Sequence, residues 1–98
     1  MVRSHYKLLI LLIEFHFFKY CIYLEAKSEN LKIKFGERLR TLRIERNLSQ
    51  EKLAALAETD KSWISEVELA KRDIQLTSIG KLADALELSL KEFLDFDF

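Results

Sequence analysis

From Leu31 onward, aliphatic and charged residues recur at helical spacing, and short polar runs cut the pattern into five blocks. Phe35, Leu39 and Leu42 stand at i, i+4 and i+7, with Glu37, Arg38, Arg40, Arg43, Glu45 and Arg46 on the other faces, the pattern of an amphipathic helix. This block stops near Asn47, a residue that suits a left-handed helix end, and Ser49 offers its hydroxyl as N-cap of a second helix over 50–57. The second helix turns Leu53, Leu56 and Ala57 inward, and Ala54 is small enough to admit another helix. Glu58, Thr59 and Asp60 interrupt the pattern, and Asp60 predicts the N-cap of a third helix from Lys61 to about Leu69, with Ile64 and Val67 buried. After the polar run 70–73, Thr77 predicts the cap of a fourth helix that buries Ile79, Leu82, Ala83 and Leu86. Ser89 predicts the cap of a last one carrying Leu90, Phe93 and Leu94. Helices this short do not persist alone, so the five must share one core. The expectation is a compact all-α domain over 31–98.

Residues 1–30 have another character. From Tyr6 to Leu24 there is no Gly, Pro, Asn, Asp, Ser, Thr or Ala, which makes this an apolar N-terminal extension without punctuation. A membrane span over Leu8–Leu24 is a poor reading, because Glu14 and Lys19 lie inside it with His16 between them. Central charges cost about 2.5–3.5 kcal/mol each on insertion, against about 0.3–0.6 returned per Leu, Ile or Phe. Arg3 and Lys7 would also leave everything after the span outside. An export signal fits no better, since the uninterrupted apolar run Leu8–Ile13 is short and no small-residue cleavage site follows. Two other readings stand beside the membrane-tethered one. One is an added helix that packs on the domain or a partner. The other is a translated leader upstream of the true start, suggested by Phe, Ile, Leu, Tyr and Lys, residues that AT-rich codons specify.

Composition narrows the function. The chain has 98 residues, no proline and two glycines, which fits one helical domain with an appendage and disfavours a β-sandwich or barrel. The formal net charge is zero, so bulk charge gives no reason to expect nucleic acid or membrane, and only local charge can supply one. Residues 31–76 carry ten basic and eight acidic side chains, whereas 77–98 carry two and five, an asymmetry that places positive charge on the middle of the domain. Cys21 has no partner for an internal disulfide, and Cys21, His5 and His16 lack the spacing of a zinc site, so a reducing, cytoplasmic setting is expected. There is no Gly-rich phosphate loop, Gly-x-Ser-x-Gly, His-Glu-x-x-His or Cys-x-x-Cys, so enzyme is the weakest class and no cofactor or metal is implied.

The informative feature is helix, three-residue turn, helix within 50–69, which sets a short helix on the surface at an angle suited to a DNA major groove. The run LSQEKLAALAETDKSWISEVELAKRD, Leu48 to Asp73, followed by LTSIGKLADALELSLKEFL, Leu76 to Leu94, resembles the XRE-type helix-turn-helix family. This is the class of Cro and the lambda-type phage repressors, and its compact members include controller proteins of restriction-modification systems and some antitoxin regulators. The resemblance implies a five-helix fold that binds double-stranded operator DNA as a homodimer and regulates transcription, possessing no catalytic group.

By position, the resemblance puts Lys61, Ser62, Ser65 and Glu66 on the recognition helix, with Lys61, Ser62 and Glu66 toward base edges. Lys can bond guanine O6 and N7, and a carboxylate can accept from cytosine N4. Glu66 departs from the Arg or Gln common there, and repulsion of phosphate or an anchoring role beside Lys61 are its other readings. Trp63 replaces a small polar residue or Tyr, and either packs on a sugar or thymine methyl or is partly buried on the second helix. Gln50 and the capping Ser49 match a phosphate contact at the start of the second helix, and Lys71 and Arg72 match backbone contacts after the third. Arg43 and Glu68 match an ion pair that orients the recognition helix. Glu58 stands where the family has Gly or Asn in a left-handed turn. Leu88, Leu90, Phe93, Leu94, Phe96 and Phe98 exceed what a small domain easily hides, and a two-fold interface is their expected use. A protein-interaction module on the same fold is the rival, suggested by zero net charge and by Glu66 and Glu68.

Overall fold

The computed structural model describes residues 2–97, with side chains from Ile13 to Asp97. Five helices follow one another: α1 Val2–Glu45, α2 Gln50–Leu56, α3 Lys61–Glu68, α4 Leu76–Ala85 and α5 Leu90–Phe93. Helix α3 packs on both α1 and α2, and α4 packs on α2 and α5. Among the described residues there is no strand, as the helical spacing predicts. The core is Phe35, Leu39 and Leu42 of α1, Leu53, Ala54 and Ala57 around α2, Ile64 and Val67 of α3, Leu82, Ala83 and Leu86 around α4, and Phe93 of α5.

Helix α1 is 44 residues long and crosses the change of character near residue 30 without a break. At about 1.5 Å per residue it measures about 66 Å, and the molecule accordingly extends 70 Å along its longest axis against 25 and 19 Å across. No residue between Tyr6 and Leu24 breaks a helix, so α1 is interrupted only by the Asn47 turn that the sequence marks. No helix among the described residues is long and apolar enough to cross a membrane.

The helix ends follow local chemistry. Ser49 accepts from the N–H of Lys52, Asp60 from that of Trp63, and Ser89 from that of Glu92. Ser89 completes a reciprocal pair, because its own N–H donates to Glu92 Oε1 at 3.2 Å. Contacts of the Glu92 carboxylate with Ser89 draw its pKa below the ordinary value, the Ser89 side chain contributing most and the Ser89 backbone N–H next. Four helices end on a left-handed residue, Asn47, Glu58, Ala70 and Glu87, each with φ near 56–60°. In each case the following N–H reaches back to the last turn: Leu48 to Arg43 O, Thr59 to Ala54 O, Lys71 to Glu66 O, Leu88 to Ala83 O.

One expected cap is displaced. The N-cap of α4 is Gln75, whose side chain makes no capping bond, and Thr77 lies inside the first turn. The N–H groups of Ser78 and Ile79 both close on Gln75 O, at 3.0 and 3.1 Å. Ile74 and Ile79 pack against the core, and that packing fixes the start of α4. A hydroxyl cap, worth about 1 kcal/mol, does not outweigh it.

Both glycines lie in helices. At Gly36 an added Cβ would sit 2.6 Å from Val67 O and 2.7 Å from Glu68 O, so α1 approaches the carbonyl end of α3 at a distance only glycine allows. At Gly80 nothing lies within 4 Å of that position.

Candidate nucleic-acid interface

Helix α3 is seated by Ile64 and Val67, both buried, against α1 and α2. Its outer side carries Lys61 and Ser62, exposed, and Ser65 and Glu66, half-buried. These four share the face the resemblance assigns to DNA. Trp63 is half-buried and packs against the core, in keeping with the burial reading. It also lines a polar recess of about 130 Å³ with Glu58, Thr59, Ser78 and Lys81.

The angle of α3 is held at its far end by one carboxylate. Arg43 Nε donates to Glu68 Oε1 at 2.6 Å and Arg43 Nη2 to Glu68 Oε2 at 3.3 Å, while Gln50 Nε2 donates to the same Oε2 at 2.7 Å. Arg43 also gives Nη1 to Leu48 O at 2.9 Å, closing the end of α1. The side chains of Arg43 and Glu68 are only 12% and 5% exposed, so this bidentate pair joins α1, α2 and α3 in a place poor in water. Gln50, expected at a phosphate, is thereby fixed by its amide nitrogen to the end of α3. Ser49 beside it is occupied in capping α2.

Other arginines of α1 serve the fold. Arg38 donates through Nε to Phe93 O and through Nη2 to Glu92 O, at 3.1 and 2.8 Å, and Arg46 donates through Nε to Leu86 O at 2.9 Å. They place positive charge at the carbonyl ends of α5 and α4, where the helix dipole favours it. Sequence reasoning missed these roles, and the close approach at Gly36. Its signal was a glycine next to a core Phe inside an amphipathic helix.

The basic residues at the outer face and just past it are Lys61, Lys71 and Arg72, all exposed. Lys61 Nζ lies 3.8 Å from Glu51 Oε1 on the neighbouring α2. Arg72 Nε donates to Glu66 Oε2 in an exposed ion pair. Among the described residues no cluster of His, Cys, Asp and Glu suits a metal ion.

The expected interface residues separate. Phe93 is fully buried, stacked at a tilt on Phe35 with centroids 5.3 Å apart, and Phe96 meets the same ring edge-on at 6.4 Å. The assignment of Phe93 to a dimer contact is therefore corrected: α5 folds back and its aromatic ring completes the core. Leu88 and Phe96 are also packed against that core, while Leu90 and Leu94 remain exposed, and Phe98 lies outside the described residues.

Two helices joined through a tight turn, the second presenting a polar outer face, define a helix-turn-helix protein, and the chain belongs to the helix-turn-helix domain family, whose model matches residues 34–95. Within it, the chain is similar to Control protein C.BamHI of Bacillus amyloliquefaciens, 36% identical over 70 residues that cover 70% of this chain and 86% of that one. Its fold is similar to the restriction-modification controller protein C.AhdI from Aeromonas hydrophila, with TM-score 0.65 and 42% identity over 67% of this chain and 96% of the other. The controller protein C.Esp1396I, solved as a tetramer with its natural 35 base-pair operator, matches at TM-score 0.63 and 28% identity, over 66% of this chain and 86% of that one. The XRE-type resemblance and the all-α, five-helix fold expected from the sequence both hold.

Proposed function

We propose that this protein is a cytoplasmic, sequence-specific regulator of transcription that binds double-stranded operator DNA as a homodimer through α3, in the manner of the controller proteins it resembles. The observation that carries the reading is the polar outer face of α3, Lys61, Ser62, Ser65 and Glu66, on a helix whose inner face is locked by Ile64 and Val67 and whose end is fixed by Arg43 and Glu68. Binding needs no cofactor and no catalysis. Residues 31–98 form the operating unit, and residues 1–30 are an appendage to it.

Phosphate contacts come from Lys71 and Arg72 and from the backbone at the N-terminal turn of α2, where the Ser49 and Gln50 side chains are engaged in capping and in holding Glu68, and base contacts come from the first turns of α3. With Phe93 inside the core, Leu90 of α5 and Leu94 just after it are the exposed apolar residues left for a two-fold contact. Such a contact sets two recognition helices about one DNA turn, 34–36 Å, apart.

A binding titration of the full chain and of Lys61→Ala against DNA upstream of its own gene, at two salt concentrations, tests the reading. The expected result is tight, salt-sensitive binding by the parent chain and a loss of about 1–3 kcal/mol in the variant. Equal, weak binding of any duplex by both proteins would overturn it in favour of a protein-interaction module.

A further inference from the structure

The ion pair between Arg72 and Glu66 joins a residue on the outer face of α3 to one in the segment that follows it. Both side chains are substantially exposed, at 50% and 40%, and such a pair adds little to stability. The backbone turn brings its two partners together. Ala70 takes the left-handed conformation, its N–H donates to Val67 O at 3.0 Å, and the Lys71 N–H donates to Glu66 O at 2.8 Å. The backbone and side chain of Glu66 thus both tether the segment that carries Arg72. Glu66 takes the Nε edge of the guanidinium, and the two Nη groups form the edge whose spacing matches guanine O6 and N7.

We infer that Glu66 is a positioning residue and Arg72 a specificity-determining one: the carboxylate holds the guanidinium so that its Nη edge reads a guanine beyond the end of α3. The inference rests on the DNA-binding reading above and reassigns two residues within it. Glu66 gives up a direct contact with cytosine, because its carboxylate is committed to Arg72. Arg72 gives up a purely phosphate role, because the Glu66 carboxylate already meets part of its positive charge and leaves the Nη edge for hydrogen bonding. The acidic residue on an otherwise DNA-facing helix then has a reason to be there.

The test uses the full chain, a duplex selected by it from a random-sequence library, and every single base-pair substitution of that duplex, at two salt concentrations. Arg72→Ala is expected to lower affinity about tenfold or more for the selected duplex and to abolish discrimination at one G·C pair in each half-site. Glu66→Gln should weaken discrimination at that same pair and leave the others intact. Arg72→Lys should restore affinity in part without restoring the preference. Circular dichroism melts of the variants should match the parent, since both residues lie outside the core.

A uniform loss across all duplexes with a shallower salt dependence in Arg72→Ala would make Arg72 a phosphate contact and overturn the inference. Loss of discrimination at a different pair in Glu66→Gln would make Glu66 a reader itself and overturn it equally. If the parent chain enriches no sequence at all, the DNA-binding reading falls, a result distinct from either of these.

Discussion

Along α1, the segment from Ile13 to Lys34 carries more large apolar side chains than the segment from Phe35 to Glu45, yet only the second segment is buried. Phe15, Phe17, Phe18, Tyr20, Ile22 and Tyr23 are all at least half exposed, whereas Phe35, Gly36, Leu39 and Leu42 are covered by α3 and the tail. The difference lies in arrangement. In the second segment apolar residues fall on one stripe, with charges on the others, and the stripe has somewhere to go. In the first they occupy every side of the helix, so no single docking surface could hide them. Hydrophobicity alone does not make a core, and a glycine at the point of contact contributes more to docking than another Phe would.

Substitutions can sharpen that contrast. Leu39→Ala should lower the stability of the domain by about 2–5 kcal/mol in a denaturant titration, and Phe17→Ala by less than about 0.5. Equal effects would mean that the first segment belongs to the folding unit. The two glycines should respond with opposite signs. Gly36→Ala should cost about 1–3 kcal/mol, because its Cβ meets two carbonyl oxygens of α3. Gly80→Ala, with open space around it, should add about 0.5–1 kcal/mol through helix propensity. The smallest effect concerns α5, which anchors the second segment through Phe93. Ser89 holds the Glu92 pKa below its ordinary value, so its contribution is present at neutral pH and is lost as pH falls through the folded-state pKa. The melting-temperature gap between the parent chain and Glu92→Gln should therefore be seen at pH 7 and close in acid. A gap unchanged by acid would remove the carboxylate from the box.

Much of this was legible in the sequence because it is local. The caps at Ser49, Asp60 and Ser89, the left-handed Asn47 and Glu58, and most inward positions are settled by a few neighbouring residues; Leu56, expected inward, is 57% exposed, because the two-turn α2 buries only Leu53, Ala54 and the capping Ala57. Thr77 failed as a cap because packing of Ile74 and Ile79, brought together only in three dimensions, moved the start of α4. The continuity of α1 through residue 30 was missed for the reverse reason: composition changes there, but helix formation is indifferent to that change. At the interface, the outward residues of α3 follow from periodicity. The pairing of Glu66 with Arg72 and the capture of Gln50 by Glu68 depend on turns that bring separated residues together. Burial of Phe93 was missed because a short terminal helix reads equally well as folding inward or outward.

Four helices end on Asn47, Glu58, Ala70 and Glu87, and none of these is glycine. A left-handed residue other than Gly or Asn costs roughly 1–2 kcal/mol, and glycine there would give back about 0.5–1 in chain entropy, so three of these ends together withhold about 1–3 kcal/mol from a domain whose like are stable by about 5–15. That is about tenfold or more in the number of molecules unfolded at any moment, relative to the same fold with glycine at its turns. In a cell, unfolded molecules are the ones proteases remove. A domain that carries this strain is therefore expected to be turned over faster than one with glycine at the same turns, which a pulse-chase comparison of the two would show.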